Sequence, residues 1–332
     1  MTVSNFINVL TGKFTGQGPV LATNSRSRVF INLVDHGGAG LFAFPSEYLY
    51  ADRLQEALSF MSDHNMYREL VLYLESCESG SMFQGMLPSN TSVYAVSAST
   101  PDESSWGCYC PGDDKGLADY VNGTELETCL GDLFSVSWMD LVQFNCTSPP
   151  HLPGDSSATD SLCKQTLLNN FRNTSILTNL STPMQWGDQS FTLAPVGGWV
   201  SDGAWPFSPS RGRTPQPPPA GAPLNPISSR DASRRSLERR VHKAGLSQKG
   251  SAHWQALTAE LAELSSREAV QLKALAASSL GLAHHSCPGL ALWDCYRHLV
   301  DAFENKYGRL TDSALGHTKK LFARAQALTS RD

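Results

Sequence analysis

Residues 70–75 read LVLYLE and run directly into a reactive segment that contains Cys77. A nearly continuous apolar run of this length is typical of a strand buried on both faces, as in a parallel sheet. Similar runs precede and follow it, RVFINLV at Arg28–Val34 and SVYAVS at residues 92–97. Between the first two runs, residues 50–67 repeat apolar side chains at helical spacing. This strand–helix–strand order predicts an α/β fold with a mostly parallel sheet flanked by helices.

Composition and length predict two folded parts joined by a linker. The chain has 332 residues, of which 41% are apolar and 17% charged, as in a soluble globular protein. Residues 196–230 are rich in Pro, Gly and Ser and are typical of an exposed linker. Residues 231–332 are rich in Ala, Leu, Glu and Arg, with one long helical pattern to about residue 282 and two further helices after it. We therefore expect an α/β domain at residues 1–195 and an all-α domain at residues 231–332.

Charge divides between the same two parts. Residues 1–195 contain 8 Lys/Arg and 20 Asp/Glu, whereas residues 196–332 contain 18 Lys/Arg and 11 Asp/Glu. Opposite net charges favour an interface between the two parts. Nucleic-acid binding by the basic part is the alternative, but no nucleic-acid motif accompanies its charges. No uncharged apolar run approaches the ~18 residues that would span a bilayer, so neither nucleic acid nor a membrane is an expected partner.

Two of the predicted strands end in residues that could carry chemistry. The first is followed by Asp35, His36 and Gly37, and the second by Ser76 and Cys77. Active groups in open α/β sheets gather beyond the carboxyl ends of the strands. An imidazole there could take the thiol proton, and the thiolate would be the attacking species. The N–H groups of Gly37 and Cys77 could bind the developing oxyanion.

These residues also allow other interpretations. A single Cys at a strand end is often a buried small apolar residue, and a single His is often an ordinary loop residue. The pair at two strand ends, with His before Cys as in the caspase arrangement, favours catalysis. A serine hydrolase using Ser79 or Ser81 is a rival interpretation, but the Gly-x-Ser-x-Gly pattern of such enzymes is absent.

Longer motifs extend across residues 2–140. They are NFINVLTG, DHGGAG, PSEYLYADRL, MYRELVLYLESCESGSMFQGMLP, VYAVSAS, DESSWGCYCPG and ETCLGDLFSVSWMD. This region resembles the legumains, or asparaginyl endopeptidases, and most closely their plant branch, the vacuolar processing enzymes. The resemblance implies a caspase-like fold and cleavage of proteins and peptides after Asn, less readily after Asp. It also implies an acidic vacuole or lysosome as the location, and some members join peptides instead.

Individual roles follow from the resemblance position by position. It assigns catalysis to His36 and Cys77, with Gly37 in the oxyanion hole. It assigns the pocket for the Asn side chain to four polar residues, Glu75, Ser104, Ser105 and Asp132. It also assigns a disulfide to Cys110 and Cys129. A mixed polar pocket suits a carboxamide, which needs both donors and acceptors. Without the resemblance, Glu75 and Asp132 would be interpreted as structural ion-pair partners. No cofactor and no metal ion is expected.

The second part resembles the C-terminal prodomain of the same family. The matching segments are SRDA at residues 229–232 and WDCY at residues 293–296. In the family this prodomain covers the active site until acid releases it, so we expect the chain's own prodomain to be its inhibitor. Cleavage after Asn225 in the linker would then free it. Cys295 either pairs with Cys287 or stays free.

The sequence also departs from the family. The resemblance implies a signal peptide and a first strand with an Arg-His pair of the pocket, which would precede Met1, so we expect a longer secretory parent. Five Asn-x-Ser/Thr sequons agree with that route and occur at Asn90, Asn122, Asn145, Asn173 and Asn179. A peptide ligase on the same scaffold, and an inactive truncated form acting as a binding protein, stay open as alternatives.

Overall fold

The computed structural model describes residues 1–332 except 17, 112–118, 122–123, 147–164, 201–224, 278–279, 283 and 331–332. The strands are β1 (Arg28–Val34), β2 (Gly37–Gly38), β3 (Leu41–Ala43), β4 (Tyr48–Tyr50), β5 (Glu69–Glu75), β6 (Val93–Ser97), β7 (Trp106–Cys108), β8 (Tyr120–Val121), β9 (Thr124–Glu125), β10 (Gly131–Asp132), β11 (Met184–Gly187) and β12 (Ile227–Ser228). The helices are α1 (Val3–Leu10), α2 (Ala51–Asp63), α3 (Leu133–Cys146), α4 (Leu167–Leu177), α5 (Gly197–Val200), α6 (Ala232–Gln248), α7 (Ala252–Ala276), α8 (Leu292–Tyr307), α9 (Asp312–Leu315) and α10 (Lys319–Thr329).

The central sheet has the strand order β1-β5-β6-β11. Strands β1, β5 and β6 run parallel, and β11 pairs antiparallel to β6. The register places Val34 opposite Glu75, so the chain leaves β1 and β5 at the same edge of the sheet. The predicted mostly parallel sheet is therefore confirmed, with the three apolar runs as its strands.

Helices cover both faces of this sheet. On one face, α2 directs Leu54, Leu58 and Met61 into a buried cluster that also includes residues of α1. These positions are spaced by four and three residues, so they share one side of the helix. On the other face, residues of α3 and α4 pack against β5 and β6. Burial on both faces explains why the β5 sequence is a continuous apolar run rather than an alternating one.

Two small sheets lie beyond the carboxyl edge of the central sheet. Strands β2, β3 and β4 form an antiparallel meander directly after β1. Strand β7 is the middle of a second sheet, with β10 on one side and β12 on the other. Because β12 lies far along the chain, this second sheet joins residues about 120 positions apart.

The C-terminal part, defined here as residues 225–330, is helical apart from β12. Helices α6 and α7 pack against each other, and α8 packs against α10. Its main cluster also includes Leu41 and Tyr50 from the meander, which makes the core continuous across the interface. The helical character predicted for this region is confirmed, although three helices rather than two follow residue 290. No helix in the described ranges has the length and apolarity needed to cross a membrane.

Residues 201–224 of the predicted linker lie outside the described residues. Before that gap, α5 packs against β1, with the Arg28 guanidinium 4.5 Å from the ring centre of Trp199. After it, residues 225–230 lie against strand β7 and the residues around it. The domain boundaries stay a prediction.

Candidate active site

Cys77 lies two residues beyond the end of β5, at a sharp change of chain direction. It is 2% exposed, and the following residue, Glu78, adopts a left-handed backbone with φ of 51°. A non-glycine residue in this region costs conformational energy, so the surrounding contacts must hold it. They do so through Glu78 N, which donates to Glu103 O at 2.7 Å, and Gly80 N, which donates to Ser99 O at 3.1 Å. The turn therefore presents Cys77 at a fixed position on the carboxyl edge of the sheet.

His36 and Gly37 lie at the corresponding place after β1. Because Val34 pairs with Glu75, His36 and Cys77 are each two residues past a paired position on adjacent parallel strands. Gly37 approaches the turn closely, since a Cβ added there would lie 2.5 Å from Cys77 O. Only glycine fits at this distance. The structure thus brings the three predicted catalytic residues to one edge of one strand pair.

The side chains of His36 and Cys77 have other partners in this state. Cys77 Sγ lies 3.3 Å from Ser104 Oγ and 3.7 Å from Ser105 Oγ. His36 Nε2 lies 3.5 Å from Asp312 Oδ2 of the C-terminal part. No hydrogen bond joins His36 to Cys77 within the described ranges. Access to the imidazole therefore depends on the C-terminal part.

Cys108 is the other unpaired cysteine among the described residues. Burial, with the nearby carboxyls of Asp132 and Glu75, raises the pKa of the Cys108 thiol to about 12. A thiol with such a pKa is almost never ionised near neutrality and is a poor nucleophile. A disulfide joins Cys110 and Cys129 close by. Cys108 is thus a poor candidate for the nucleophile, which leaves Cys77 as the other unpaired thiol of the described residues.

Two predicted pocket residues, Glu75 and Asp132, carry carboxyls that influence each other electrostatically; Glu75 is buried and Asp132 is half-buried. Glu75 is 1% exposed and accepts hydrogen bonds from Ser135 N at 2.7 Å and Ser135 Oγ at 2.9 Å. Burial and the charge of Asp132 raise the pKa of Glu75 to about 8. Burial also raises the pKa of Asp132, against the opposing effects of His36 and Ser229. Of the Glu75 carboxyl oxygens, Oε1 is buried and has no hydrogen-bond partner among the described residues.

A strand of the C-terminal part lies across these residues. Ile227 pairs with Gly107 and Ser228 with Trp106, antiparallel to β7. Ser229 N then donates to Ser105 O at 3.0 Å. Its hydroxyl accepts from Ser105 Oγ at 3.1 Å and contacts the carboxylate of Asp132. The Ser229 side chain therefore contacts two of the four predicted pocket residues, Ser105 and Asp132, while Ser104 Oγ lies 2.7 Å from Ser228 Oγ.

Further contacts hold the C-terminal part over the site. Arg230 forms an ion pair with Glu78, the residue after the nucleophile. Thr318 Oγ1 accepts from Ala39 N at 3.0 Å, and Tyr296 OH donates to Ala39 O at 2.7 Å. These two bonds hold the backbone of the glycine-rich loop that follows His36. A cavity of about 570 Å³, lined by His36, Asp132 and residues of α6, remains beneath the covering helices.

Several of these residues were not predicted as site residues from the sequence. Ser135 supports Glu75 from the start of α3, and Asp312 reaches His36 from α9. Neither Ser135 nor Asp312 lies in a recognisable sequence pattern, because each contacts a residue that is far away along the chain. Ser229 and Arg230 belong to the SRDA segment, whose match to the family's prodomain was the one available signal. Cys287 and Cys295, for which the sequence allowed two states, form a disulfide.

Comparisons with known proteins agree with this arrangement. The model described as the Peptidase C13 family matches residues 1–202. A vacuolar-processing enzyme of Citrus sinensis is 43% identical over 145 residues, which are 42% of this chain and 28% of that protein. Legumain of Homo sapiens is 37% identical over 201 residues, 59% of this chain and 40% of that protein. The chain thus spans well under two thirds of these two relatives. The delta-isozyme of the vacuolar-processing enzyme from Arabidopsis thaliana is 28% identical over 342 residues, covering 97% of this chain and 68% of that protein.

Proposed function

The chain belongs to the Peptidase C13 family, and from this premise we propose that it is a cysteine endopeptidase with Cys77 as nucleophile and His36 as general base. The observation that carries the proposal is the strand register, which puts both residues just past paired ends of β1 and β5. The high pKa of the Cys108 thiol supports the choice of cysteine. The close approach of Gly37 to the Cys77 turn supports an oxyanion hole there.

The reaction begins once the C-terminal part has left the site. His36 takes the proton of the Cys77 thiol, and the thiolate attacks the carbonyl carbon of the scissile bond. The N–H groups of Gly37 and Cys77 donate to the resulting oxyanion. His36 returns the proton to the leaving amide nitrogen as the C–N bond breaks, which leaves a thioester on Cys77. Water, deprotonated by His36, then attacks the thioester, releases the carboxylic acid and restores the thiol.

Replacing each free cysteine in turn tests this assignment. The acid-treated full chain is incubated with an Asn-containing peptide, and products are identified by mass spectrometry. We expect Cys77→Ser to lower the cleavage rate by at least about 10³-fold, as loss of a nucleophile does in other hydrolases. The matched variant Cys108→Ser, which changes the other unpaired thiol, keeps the activity. Equal rates for Cys77→Ser and the unchanged protein would disprove the mechanism.

We further propose that the residue before the cleaved bond is Asn, and less readily Asp. Its carboxamide would lie where the Ser229 hydroxyl lies, between Ser105 Oγ and the carboxylate of Asp132. An amide N–H₂ can donate to Asp132, and the amide oxygen can accept from a serine hydroxyl. A pocket built to satisfy these polar groups discriminates strongly against side chains that leave them unpaired.

Peptides that differ at this one residue test the specificity. We expect cleavage after Asn, slower cleavage after Asp and no cleavage after Leu, which cannot pair with Asp132. Cleavage after Leu at the Asn rate would refute the pocket assignment but leave the Cys77 mechanism standing. Adding a peptide with a free amino terminus distinguishes hydrolysis from ligation, since an amine in place of water yields a joined peptide.

The C-terminal part acts, in this proposal, as the chain's own inhibitor. Strand β12 lies antiparallel along β7 and Ser229 fills the pocket, much as a bound substrate would. Ser229 has no carboxamide, so it occupies the pocket without being the preferred residue for cleavage. Asp312 holds His36 at the same time, which keeps the imidazole from the thiol.

A single substitution can convert this inhibitory strand into a substrate. In Ser229→Asn, the pocket would receive its preferred side chain, and we expect the chain to cleave itself between residues 229 and 230. The matched variant Ser247→Asn places the same residue at the far end of α6, outside the pocket, and is expected to stay uncut there. Mass spectrometry of the fragments gives the result. An uncut Ser229→Asn protein that still cleaves added Asn peptides would exclude this position for Ser229.

Release of the C-terminal part would follow cleavage after Asn225 in an acidic vacuole or lysosome; of these compartments, the name vacuolar-processing enzyme of several relatives suggests the vacuole. Asn225 lies two residues before β12, with its Nδ2 3.4 Å from Cys110 O, so it borders the covered cleft. The substitution Asn225→Gln is expected to abolish the acid-triggered cut there. Unchanged processing of that variant would assign the release to another bond.

A further inference from the structure

A second cavity lies within the C-terminal part, close to the candidate site but separate from it. Its volume is about 330 Å³, and it lies where the start of α6, the middle of α7 and the turn before α9 meet. Four guanidinium groups and two carboxylates line it, those of Arg230, Arg234, Arg267, Arg309, Glu268 and Asp312. We call it the arginine cavity.

The carboxylates in this region do not neutralise all four arginines. Arg234 pairs with Glu268 at 2.8 Å, and Arg230 pairs with Glu78 outside the cavity. Arg309 donates instead to the neutral carbonyls of Pro45 at 2.5 Å and Phe44 at 2.7 Å. Within the described part of the chain, Arg267 forms neither an ion pair nor a hydrogen bond.

Two features point to a missing acceptor. The Nε of Arg230 is buried without a hydrogen-bond partner among the described residues and packs against Gly316, the residue after α9. Asp312, the other carboxylate of the cavity, faces His36 at 3.5 Å and so is shared with the candidate site. The lining of the cavity therefore carries more positive than negative charge, because four guanidinium groups face two carboxylates and one of these is shared with the candidate site.

We propose that the arginine cavity binds a tetrahedral oxyanion, a phosphate or sulfate group that is either free or carried on a larger molecule. Guanidinium groups form paired N–H···O bonds with such anions, and neither Arg267 nor Arg309 pairs with a carboxylate among the described residues. Bound there, the anion would bridge α6, α7 and the turn before α9. It would thereby stabilise the arrangement of helices that covers the candidate site.

Calorimetric titration of the full chain tests this binding, with inorganic phosphate, inorganic sulfate and phosphoserine as probes. Ionic strength is held constant with sodium chloride, because sulfate also stabilises proteins by general exclusion from their surfaces. We expect saturable binding at one site, weakened at least tenfold by Arg267→Gln. The matched variant Arg235→Gln removes an exposed charge from α6 outside the cavity and should bind as the unchanged protein does.

Thermal unfolding supplies a second readout. Phosphate is expected to raise the melting temperature of the unchanged protein and of Arg235→Gln to a plateau, and to leave Arg267→Gln unaffected. Tighter binding of phosphoserine than of inorganic phosphate would indicate a group carried on a larger molecule; the reverse would indicate a free anion. Absence of saturable binding, or equal binding by Arg267→Gln and Arg235→Gln, would overturn the proposal. Neither result depends on activity at Cys77.

Discussion

At the floor of the candidate site the carboxyl group of Glu75 is fully buried, whereas at the contact with α6 the carboxyl of Glu125 is half-buried beside cations. Burial and Asp132 raise the pKa of Glu75 to about 8, but Lys243 and Arg239 lower the pKa of Glu125. Acid therefore favours the form of Glu75 that the folded site prefers. The same acid removes the charge on which the contact of Glu125 with the C-terminal part depends.

A third titrating group, the imidazole of His317, belongs to the C-terminal part. Burial, with the charges of Lys320 and Arg230, lowers the pKa of His317. A group with a lowered pKa resists protonation where it is, so protonation at acidic pH disfavours the surroundings of His317, whose two nearby cations both belong to the C-terminal part. From this comparison we expect one fall in pH to loosen the covering helices while the sheet beneath them stays folded.

The largest effect is expected where the two regions meet, at the contact between His36 and Asp312. Because His36 is the proposed general base, His36→Ala should lower kcat/KM for an Asn peptide by about 10²–10⁴-fold. Asp312→Asn removes only the carboxylate with which the C-terminal part contacts His36. Its kcat/KM after acid treatment should stay within about threefold of the unchanged protein, and less acid should be needed to activate it.

Equal losses of activity in the two variants would contradict this difference, since Asp312 would then act in catalysis as well. The assay uses acid-treated protein with the C-terminal part still in solution, so that residue 312 is present when the rates of the two variants are compared. Circular dichroism of both variants confirms that each is folded before the rates are interpreted.

The sheet beneath should carry most of the stability. Leu72, in the middle of β5, is 0% exposed, whereas Leu246 on α6 is 74% exposed. We expect Leu72→Ala to lower the free energy of unfolding by about 2–5 kcal/mol, because it removes packed methyl groups and leaves a cavity. The matched change Leu246→Ala should alter it by less than about 0.5 kcal/mol. Urea denaturation at neutral pH measures both, and similar costs would mean that α6 is packed more tightly than its exposure indicates.

The elements that the sequence predicted correctly are those with a pattern of their own. Strands β1, β5 and β6 are continuous apolar runs, and α2 repeats apolar residues along one side. Strands β10 and β12 have two residues each, too few for any period to be detected. Their pairing with β7 arises from tertiary contacts, and no local sequence preference reports such contacts.

The candidate site shows the same difference between positions that a local sequence pattern predicts and contacts that depend on tertiary structure. The position of His36 and Cys77 at one edge of the sheet was predictable because each follows a recognisable strand and parallel strands end at a common edge; their catalytic roles stay a prediction. The contact of Ser229 with Ser105 spans 124 positions and depends on how the C-terminal part docks. Likewise, the raised pKa of Glu75 needs both its burial and the nearness of Asp132, which sequence spacing alone does not supply.

A smaller effect should appear in the pH dependence of stability. The folded-state pKa of Glu75 is about 8, above its usual value near 4.5. The stabilisation from this group is therefore complete below about pH 4.5 and is lost as the pH rises through about 8. This loss of stability is on the order of 1 kcal/mol for each pH unit between the usual and the raised pKa. Glu75→Gln should remove part of it. Urea denaturation from pH 5 to 9 measures it.

The exposed carboxylate of Glu56 provides the control for that experiment. It lies on α2, pairs only with Arg53 among the residues described and is mostly accessible to solvent. Glu56→Gln should therefore leave the pH profile unchanged, while Glu75→Gln flattens it. Parallel profiles for the two variants would show that the buried carboxyl of Glu75 does not titrate in this range.

The smallest effect is expected at the surface contact of α6. Lys243 Nζ lies 3.0 Å from Glu125 and 2.5 Å from Glu127, but its side chain is half exposed, so each pair contributes only about 0.2–1 kcal/mol. The lowered pKa of Glu125 means that this contribution is present above its usual value near 4.5 and disappears as the pH falls through the lowered one. Lys243→Gln should therefore move release of the C-terminal part toward neutral pH by a few tenths of a unit. Hydrogen exchange of the Ala39 amide, which donates to Thr318, reports the release. Lys249→Gln, at the end of the same helix, should release at the unchanged pH, and if both variants shift equally, the effect belongs to net charge rather than to this contact.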